Sequence, residues 1–283
     1  MSILLNSRIF KTIRNIYLRF QDDDIPALAA QLTYYFILSF FPFLIFLITL
    51  VSFTPVTSEQ ALNDLSKIMP SSAYNIVSDI ISQVVNSRRA TFLSFGMLAT
   101  IWASSNGMNA VIRGLNRAFD QKETRPFWKV RGLSVLATIA LALTILFSFF
   151  LLVFGEIIGE QLFIFLGFSH IFKTVWTFIR YFIPLITMLL VFTLLYLFTP
   201  NRRLTLREVM PGSLFSTFGW ILTSVLFSLY INNFGNFSRT YGSIGGVIAL
   251  LIWLYWISII ILLGGELNAT LAFSHPSVNG QKQ

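Results

Sequence analysis

Residues 241–265 read YGSIGGVIALLIWLYWISIIILLGG, a run without a single charged residue. A helix needs about 20 apolar residues to cross the hydrocarbon core of a bilayer, and this run is long enough. In lipid every backbone N–H and C=O group must be paired within the segment, so such a run is a helix. The stretch therefore predicts a transmembrane helix near the C-terminus.

Five further stretches are similarly long and apolar, and the six together occupy most of the chain. They lie at about Thr33–Phe53, Ala90–Ile112, Gly132–Phe154, Val175–Phe198 and Gly212–Tyr230. With their flanking turns they predict helices at about 27–53, 90–112, 132–154, 175–198, 205–231 and 241–268. The predicted fold class is all-α: a polytopic membrane protein with six transmembrane helices.

The composition agrees with a membrane protein. Charged residues make up 11% of the 283 residues and hydrophobic residues 55%, whereas a soluble domain carries about 25% charged residues. No segment between the predicted spans is long enough for a separate soluble domain, so residues 1–283 are predicted to form a single integral membrane domain. The absence of cysteine excludes disulfides and thiolate metal sites.

The net charge of +8 indicates membrane orientation rather than nucleic-acid binding. Segments predicted on one side of the membrane hold 14 Lys and Arg, and those on the other side hold 6. The basic side comprises residues 1–32, 113–131, 199–211 and the tail after Gly265. Because short cytoplasmic loops are enriched in Lys and Arg, both termini are predicted to lie in the cytoplasm (N-in/C-in).

Two segments outside the spans have amphipathic patterns. In residues 8–20 apolar side chains at helical spacing share one face, and basic side chains lie elsewhere. This pattern is typical of an interfacial helix on anionic lipid headgroups. Residues 54–90 predict two more short amphipathic helices that rest on the membrane or cap the bundle.

Two prolines fall within predicted helices. Pro42 removes one backbone hydrogen bond and frees the carbonyl of Leu38, which predicts a kink, with a broken, ligand-coordinating helix as the alternative. Thr205 and Glu208 have capping-box spacing just before Pro211. The fifth helix is therefore predicted to begin in the cytoplasm and to bend at Pro211 as it enters the bilayer.

The second span carries a row of polar residues, the polar seam. Its members Trp102, Asn106, Asn109, Arg113 and Asn116 are spaced by four, three, four and three residues, so they share one helical face. Polar groups in hydrocarbon face the bundle interior or water. The seam therefore predicts either interhelical hydrogen bonds that fix the packing or the lining of a cavity.

Glu266 lies at the end of the sixth helix, two residues before Asn268. The predicted orientation places it at the cytoplasmic face, at a depth similar to that of Arg113. We expect these two charges to approach each other, because pairing lowers the cost of a charge near hydrocarbon. The alternative is that each reaches the headgroups separately. Together with the seam, Glu266 and Asn268 complete the candidate cavity lining.

Enzyme motifs are nearly absent. The chain has two histidines, far apart in sequence, and no HExxH, GxSxG or phosphate-loop motif. Hydrolysis of RNA needs a metal cluster or paired acid and base groups, and the sequence indicates neither. We expect no catalytic residue, no cofactor, no metal site and no nucleic-acid partner.

The stretch YGSIGGVIALLIWLYWISIIILLGGELNA at 241–269 resembles the signature of the YihY/BrkB-type membrane proteins, once labelled ribonuclease BN. Further similar stretches follow in order over nearly the whole chain. Gly265 stands where such proteins often have Ala, and Gln31 lies in a usually apolar setting. The resemblance implies six helices in the bacterial inner membrane and little about mechanism. The supporting stretches are LTYYFILSFFPFLIF at 32–46, NGMNAVIRGLN at 106–116, RPFWKVR at 125–131 and PGSLFSTFGWILTSVLFSLYI at 211–231.

Two main functions remain open at this point, and a third, a membrane-bound ribonuclease, is supported only by the old family label and the basic loops predicted in the cytoplasm. The first is a transporter or exporter of a small solute or lipid, which would use the seam, the prolines and the Gly-rich sixth helix. The second is a non-transporting envelope scaffold or partner-binding module, in which the same residues serve packing. A water-accessible cavity lined by Asn106 and Asn109 would favour the first function, and a tightly packed interior the second. Expected partners are membrane lipids, a small solute or lipid, and a second copy of the chain.

Overall fold

The computed structural model describes residues 8–52, 90–165, 169–234 and 245–274. Within these ranges the secondary structure is entirely helical, which confirms the all-α class. The amphipathic helices predicted in 54–90 lie outside the described residues. The seven described helices are α1 (Arg8–Asp22), α2 (Ile25–Ser52), α3 (Ala90–Ala118), α4 (Phe127–Phe165), α5 (Ser169–Phe198), α6 (Leu206–Phe234) and α7 (Gly245–Ser274).

Four of these helices contain an apolar segment long enough to cross a membrane. The segments are Phe127–Ser148, Tyr181–Phe198, Leu206–Ile231 and Gly245–Phe273. α2 contributes a shorter apolar stretch, Ile25–Phe40. Long helices with apolar outer surfaces are what a bilayer requires of a spanning chain.

α3 and α4 both extend past their hydropathic spans. α3 continues to Ala118 and α4 begins at Phe127, so the link between them is 119–126 and not the predicted 113–131. Hydropathy marks only the part of a helix inside hydrocarbon, whereas the hydrogen-bonded backbone continues into the interface. The extension places Arg131 in the first turns of α4, where the sequence predicted a loop.

α1 and α3 each end next to an aspartate in the left-handed backbone region. The φ angle is 50° at Asp24 and 53° at Asp120. At the end of α3, the N–H of Gln121 donates to the Asn116 carbonyl at 2.8 Å, and the N–H of Asp120 donates to the Arg117 carbonyl at 3.0 Å. This is the Schellman pattern of a helix end. Aspartate adopts positive φ more readily than most non-glycine residues, so it can replace the usual glycine.

The long helices form a closed ring in chain order. Each helix from α2 to α7 packs against the next, and α7 closes the ring by packing against α2. α7 also contacts α3 across the ring, and α1 lies on α7. The shared core includes Ile25, Ala29, Leu32, Leu115, Tyr196, Val209, Ile261 and Leu262.

The crossing of α6 and α7 depends on two glycines. A Cβ atom at Gly212 would collide with the backbone carbonyl of Gly264 and with the side-chain amide of Asn268. A Cβ atom at Gly264 would collide with the hydroxyl groups of Ser216 and Tyr196. Small residues let two membrane helices bring their backbones into contact, and here they hold the end of α7 that carries the candidate site residues.

Candidate functional site

The first two seam residues are bound by Arg131 of α4. Its Nη1 donates to Asn106 Oδ1 at 2.7 Å, and its Nη2 donates to the Trp102 carbonyl. The guanidinium carbon lies 3.7 Å from the centroid of the Trp102 ring, a cation–π contact. Arg131 is buried. Trp102 and Asn106 therefore join α3 to α4.

The last seam residue, Asn116, joins the α3–α4 link to the α5–α6 link. Its Nδ2 donates to Glu123 Oε2 at 2.8 Å, and its Oδ1 accepts from the backbone N–H of Asn201 at 2.6 Å. Both links thus meet at one end of the bundle.

Arg125 extends this connection between the two links. It donates to Glu123 Oε2 at 2.6 Å and to the Thr199 carbonyl at 2.9 Å. The hydrogen bond from Arg125 is the main reason that the pKa of Glu123 lies below its usual range. Glu123 therefore stays ionised and keeps both links in place.

The predicted pairing of Arg113 with Glu266 is wrong. Glu266 Oε2 accepts from Arg19 Nε at 2.6 Å, whereas the exposed Arg113 guanidinium lies 5.0 Å from the centroid of the Tyr35 ring on α2. The face of α3 that meets α7 carries Leu115, which contacts Gly265. Arg113 is two positions away and points in another direction around the helix. The side chains of Arg113 and Glu266 therefore point in different directions.

Arg19 is the centre of an ion cluster that joins α1, α3 and α7. Its Nη2 lies 3.2 Å from Asp120 Oδ2 and also donates to the Ala118 carbonyl. Burial acts to lower the pKa of Arg19, but the Glu266 and Asp120 carboxylates outweigh it and raise that pKa above its ordinary value. Arg117 Nε donates to the buried Asp23 at 2.9 Å. The ion cluster consists of Arg19, Asp23, Arg117, Asp120 and Glu266.

Asn268 and Pro211 belong to the α6–α7 crossing. Asn268 is fully buried, and its Oδ1 accepts from the backbone N–H of Gly212 at 2.6 Å. Pro211 lies inside α6, and Pro42 lies inside α2. Both helices continue through their prolines, and the kinks remain predictions. Asn109 is half-buried on α3.

Two apolar cavities lie between α4 and α5, with volumes of about 350 and 460 Å³. They share Thr144, and together they form what we term the α4–α5 groove. The only other polar lining residues are Ser148, Thr187 and Thr199. Ser148 and Thr187 lie 3.1 Å apart and hydrogen-bond to each other. None of the predicted site residues lines these two cavities.

A family model described as Virulence factor BrkB matches residues 16–283. The chain belongs to the BrkB family. The ribonuclease-like protein YfkH of Bacillus subtilis is 45% identical, over 92% of this chain and 94% of YfkH. A UPF0761 membrane protein of Cronobacter sakazakii is 28% identical, over 92% of this chain and 88% of its own length. A UPF0761 membrane protein of Alteromonas mediterranea is 25% identical, over 89% and 85%. No solved structure matches the chain.

Membership of the BrkB family, together with the long apolar helices, makes this a multi-pass bacterial membrane protein. The term ribonuclease-like is part of the name of YfkH. Within the described ranges, no group of three His, Cys, Asp or Glu side chains is placed to hold a metal ion.

Two residues that bind predicted site residues in this BrkB family member, Arg131 and Arg19, were not predicted from the sequence as part of the site. The sequence predicts a loop at Arg131, although this is the last charged residue before the apolar run of α4. For Arg19 it predicts a place on the polar face of an interfacial helix. A signal for Arg19 was the acidic run that follows it, because Asp23 lies four residues later on the same helical face.

Proposed function

We propose that this protein transports an amphiphilic lipid, or another solute with a long hydrocarbon chain, across the bacterial inner membrane. It would do so as one integral membrane domain of residues 1–283, with six spans and both termini in the cytoplasm. The observation that carries this proposal is the α4–α5 groove, an apolar furrow on long apolar helices. No catalytic residue, cofactor or nucleic acid enters the proposal.

The dimensions of the groove suit a hydrocarbon chain. On α4 its lining runs from Leu133 to Leu151, which corresponds to about 27 Å at the helical rise. That length is close to the roughly 30 Å hydrocarbon thickness of a bilayer. The outer walls are exposed apolar side chains such as Leu136, Phe147 and Leu190. Burial of an acyl chain against such walls is favourable, whereas a polar solute would lose the free energy of its hydration.

The end of the groove near the α4 N-terminus suits an anionic headgroup. Lys129 is exposed and lies one turn before Leu133, on the helical face that continues along the groove. Phe127 and Trp128 beside it are 60% and 77% exposed. Aromatic residues favour the interface between hydrocarbon and water. The substrate proposed here therefore has a negatively charged head and an apolar tail.

The six-span orientation predicts a specific labelling pattern. The natural chain lacks cysteine, so Ser58→Cys and Lys122→Cys each introduce one reporter thiol. We expect an impermeant thiol reagent to label the first variant in intact spheroplasts, and the second only after permeabilisation. The reason is the excess of Lys and Arg on the side that includes residue 122. Labelling of Lys122→Cys in intact spheroplasts would reverse the proposed orientation.

Thr144→Trp tests the groove, because Thr144 lines both cavities and an indole at this position would obstruct the groove where they meet. We expect it to slow transbilayer movement of a fluorescent phosphatidylglycerol in proteoliposomes by about tenfold, equivalent to about 1.4 kcal/mol. The matched control is Ile145→Trp, next along the helix, partly exposed and outside both cavity linings. It should transport like the natural protein.

The same assay can contradict the proposal. Equal rates in Thr144→Trp and the natural protein would remove the groove from the transport path. If vesicles with the natural protein move anionic, zwitterionic and neutral lipid probes no faster than empty vesicles, the scaffold function is favoured instead.

One observation favours that second candidate, a non-transporting scaffold or partner-binding module. Three residues of the predicted cavity lining, Asn106, Asn116 and Asn268, hydrogen-bond to a neighbouring helix or link. Polar residues used in this way fix helix packing and need no solute. Partners of either function would include membrane lipids and a second copy of the chain.

A further inference from the structure

Arg131 is a buried charge without a carboxylate partner. It lies in the apolar segment Phe127–Ser148 and is only 5% exposed. In the part of the chain that the structure describes, every ion pair is formed by other residues. Arginine keeps its charge in proteins, so it cannot become neutral by losing a proton. A buried cation is unfavourable unless an anion balances it, and a charge inside a membrane span usually marks a functional site.

The guanidinium group of Arg131 has donors that the protein does not use. Nη1 donates to Asn106 Oδ1 at 2.7 Å, and Nη2 donates to the Trp102 carbonyl. Both acceptors are neutral, so neither balances the charge. Nε is buried and has no hydrogen-bond partner. Because Nε and one N–H of Nη2 lie on the same edge of the guanidinium, this edge offers the two parallel donors that bind a carboxylate or a phosphate.

The Trp102 ring covers this guanidinium group and marks the side from which it can be reached. The ring centroid lies 3.7 Å from the guanidinium carbon, and Trp102 is 51% exposed. Since half of this residue faces away from the protein, rotation of one side chain opens Arg131 to the surroundings of α3 and α4. A cation–π contact is weaker than a bidentate pair with an anion, so an anion can displace the ring.

We propose that Arg131, held in place by Asn106, is a binding site for one phosphate group between α3 and α4. The phosphate supplies the missing negative charge and accepts hydrogen bonds from Nε and Nη2. The exposed aromatic side chains of Phe127 and Trp128, within the preceding turn of α4, favour the interface where lipid phosphates lie. The phosphate belongs either to the headgroup of an anionic lipid or to a free phosphate ion.

This site is separate from the α4–α5 groove. Arg131 faces α3, whereas Leu133 and Ala140, which line the groove, lie on the opposite side of α4. The inference is therefore independent of the proposed transport. Lipid retention at Arg131 is best measured in the Thr144→Trp background, because there the groove is obstructed and contributes little to the signal.

Native mass spectrometry of the full-length protein in detergent tests the site, with phosphatidylglycerol as the probe. We expect the Thr144→Trp protein to retain one phosphatidylglycerol, and the addition of Arg131→Gln to weaken binding about tenfold, as for the loss of a charge-assisted hydrogen bond. The matched control is Arg207→Gln, which removes the same charge from an exposed position on α6 and should leave binding unchanged. Excess inorganic phosphate distinguishes the two sources: a lipid that stays bound identifies a headgroup site, and a lipid that is displaced identifies a site that also takes free phosphate.

Arg131→Lys tests the paired donors and replaces Arg131→Gln if that variant fails to assemble. Lysine keeps the charge but lacks the two parallel N–H groups, so phosphatidylglycerol should still bind more weakly than with arginine. Undiminished affinity in either Arg131 variant would overturn the proposal. So would a protein with Arg131 intact that retains neither phosphatidylglycerol nor phosphate.

Discussion

Gly212→Ala is expected to destabilise the protein by about 3 kcal/mol, the upper part of the usual range for overpacking. The added Cβ would meet the backbone carbonyl of Gly264, which cannot rotate away as a flexible side chain could. Separation of α6 from α7 would also stretch the hydrogen bond from Gly212 to Asn268. Unfolding of the protein in mixed micelles with increasing denaturing detergent measures the loss.

Gly132→Ala is the matched control for Gly212→Ala. A Cβ atom at Gly132 would meet nothing within 4 Å. Because alanine loses less backbone entropy than glycine in a helix, this change should stabilise the protein by about 0.5–1 kcal/mol. Equal effects of the two substitutions would show that close backbone contact between α6 and α7 does not limit stability.

Arg19→Gln is expected to destabilise the protein by about 3–5 kcal/mol in mildly alkaline solution, the range for removing one partner of a buried ion pair. It leaves the Glu266 carboxylate buried without its cation. Thermal unfolding of the detergent-solubilised variants measures the loss.

Arg14→Gln is the control on the same helix, since Arg14 is exposed. It should change stability by less than about 0.5 kcal/mol. The double variant Arg19→Gln with Glu266→Gln should lose less stability than the two single changes added together. Additive losses would contradict a role for Arg19 as the partner of a buried carboxylate.

Hydropathy predicts a similar depth for Arg113 and Glu266, and that depth stays a prediction. The direction of each side chain around its helix could not be predicted from the sequence. Whether Arg113 faces Glu266 depends on which residues of α3 contact α7. The residue of α3 that contacts Gly265 of α7 is Leu115. Arg19 pairs with Glu266 across 247 positions of sequence, and a pattern within one segment cannot indicate such a pair.

Local chemistry was more predictable than long-range contacts. The predicted capping interaction at the start of α6 is confirmed, because the backbone N–H of Thr205 donates to the Glu208 carboxylate at 2.7 Å. The end of α3 escaped prediction because Asp120 occupies a position that glycine usually takes. The role of Arg131 escaped for a different reason: a basic residue before an apolar run resembles an ordinary loop charge until Trp102 and Asn106 are seen beside it.

Closure of the ring between α2 and α7 has a consequence for biosynthesis. The face of α2 that carries Leu32 and Thr33 packs against α7, which is synthesised after every other described helix, and Thr33 Oγ1 donates to Ser258 Oγ at 3.2 Å. Until α7 enters the membrane, this face of α2 lacks its final neighbour. A nascent chain that stops before residue 245 therefore exposes an incomplete bundle to membrane proteases and insertion chaperones, and only a chain that includes α7 can hide it.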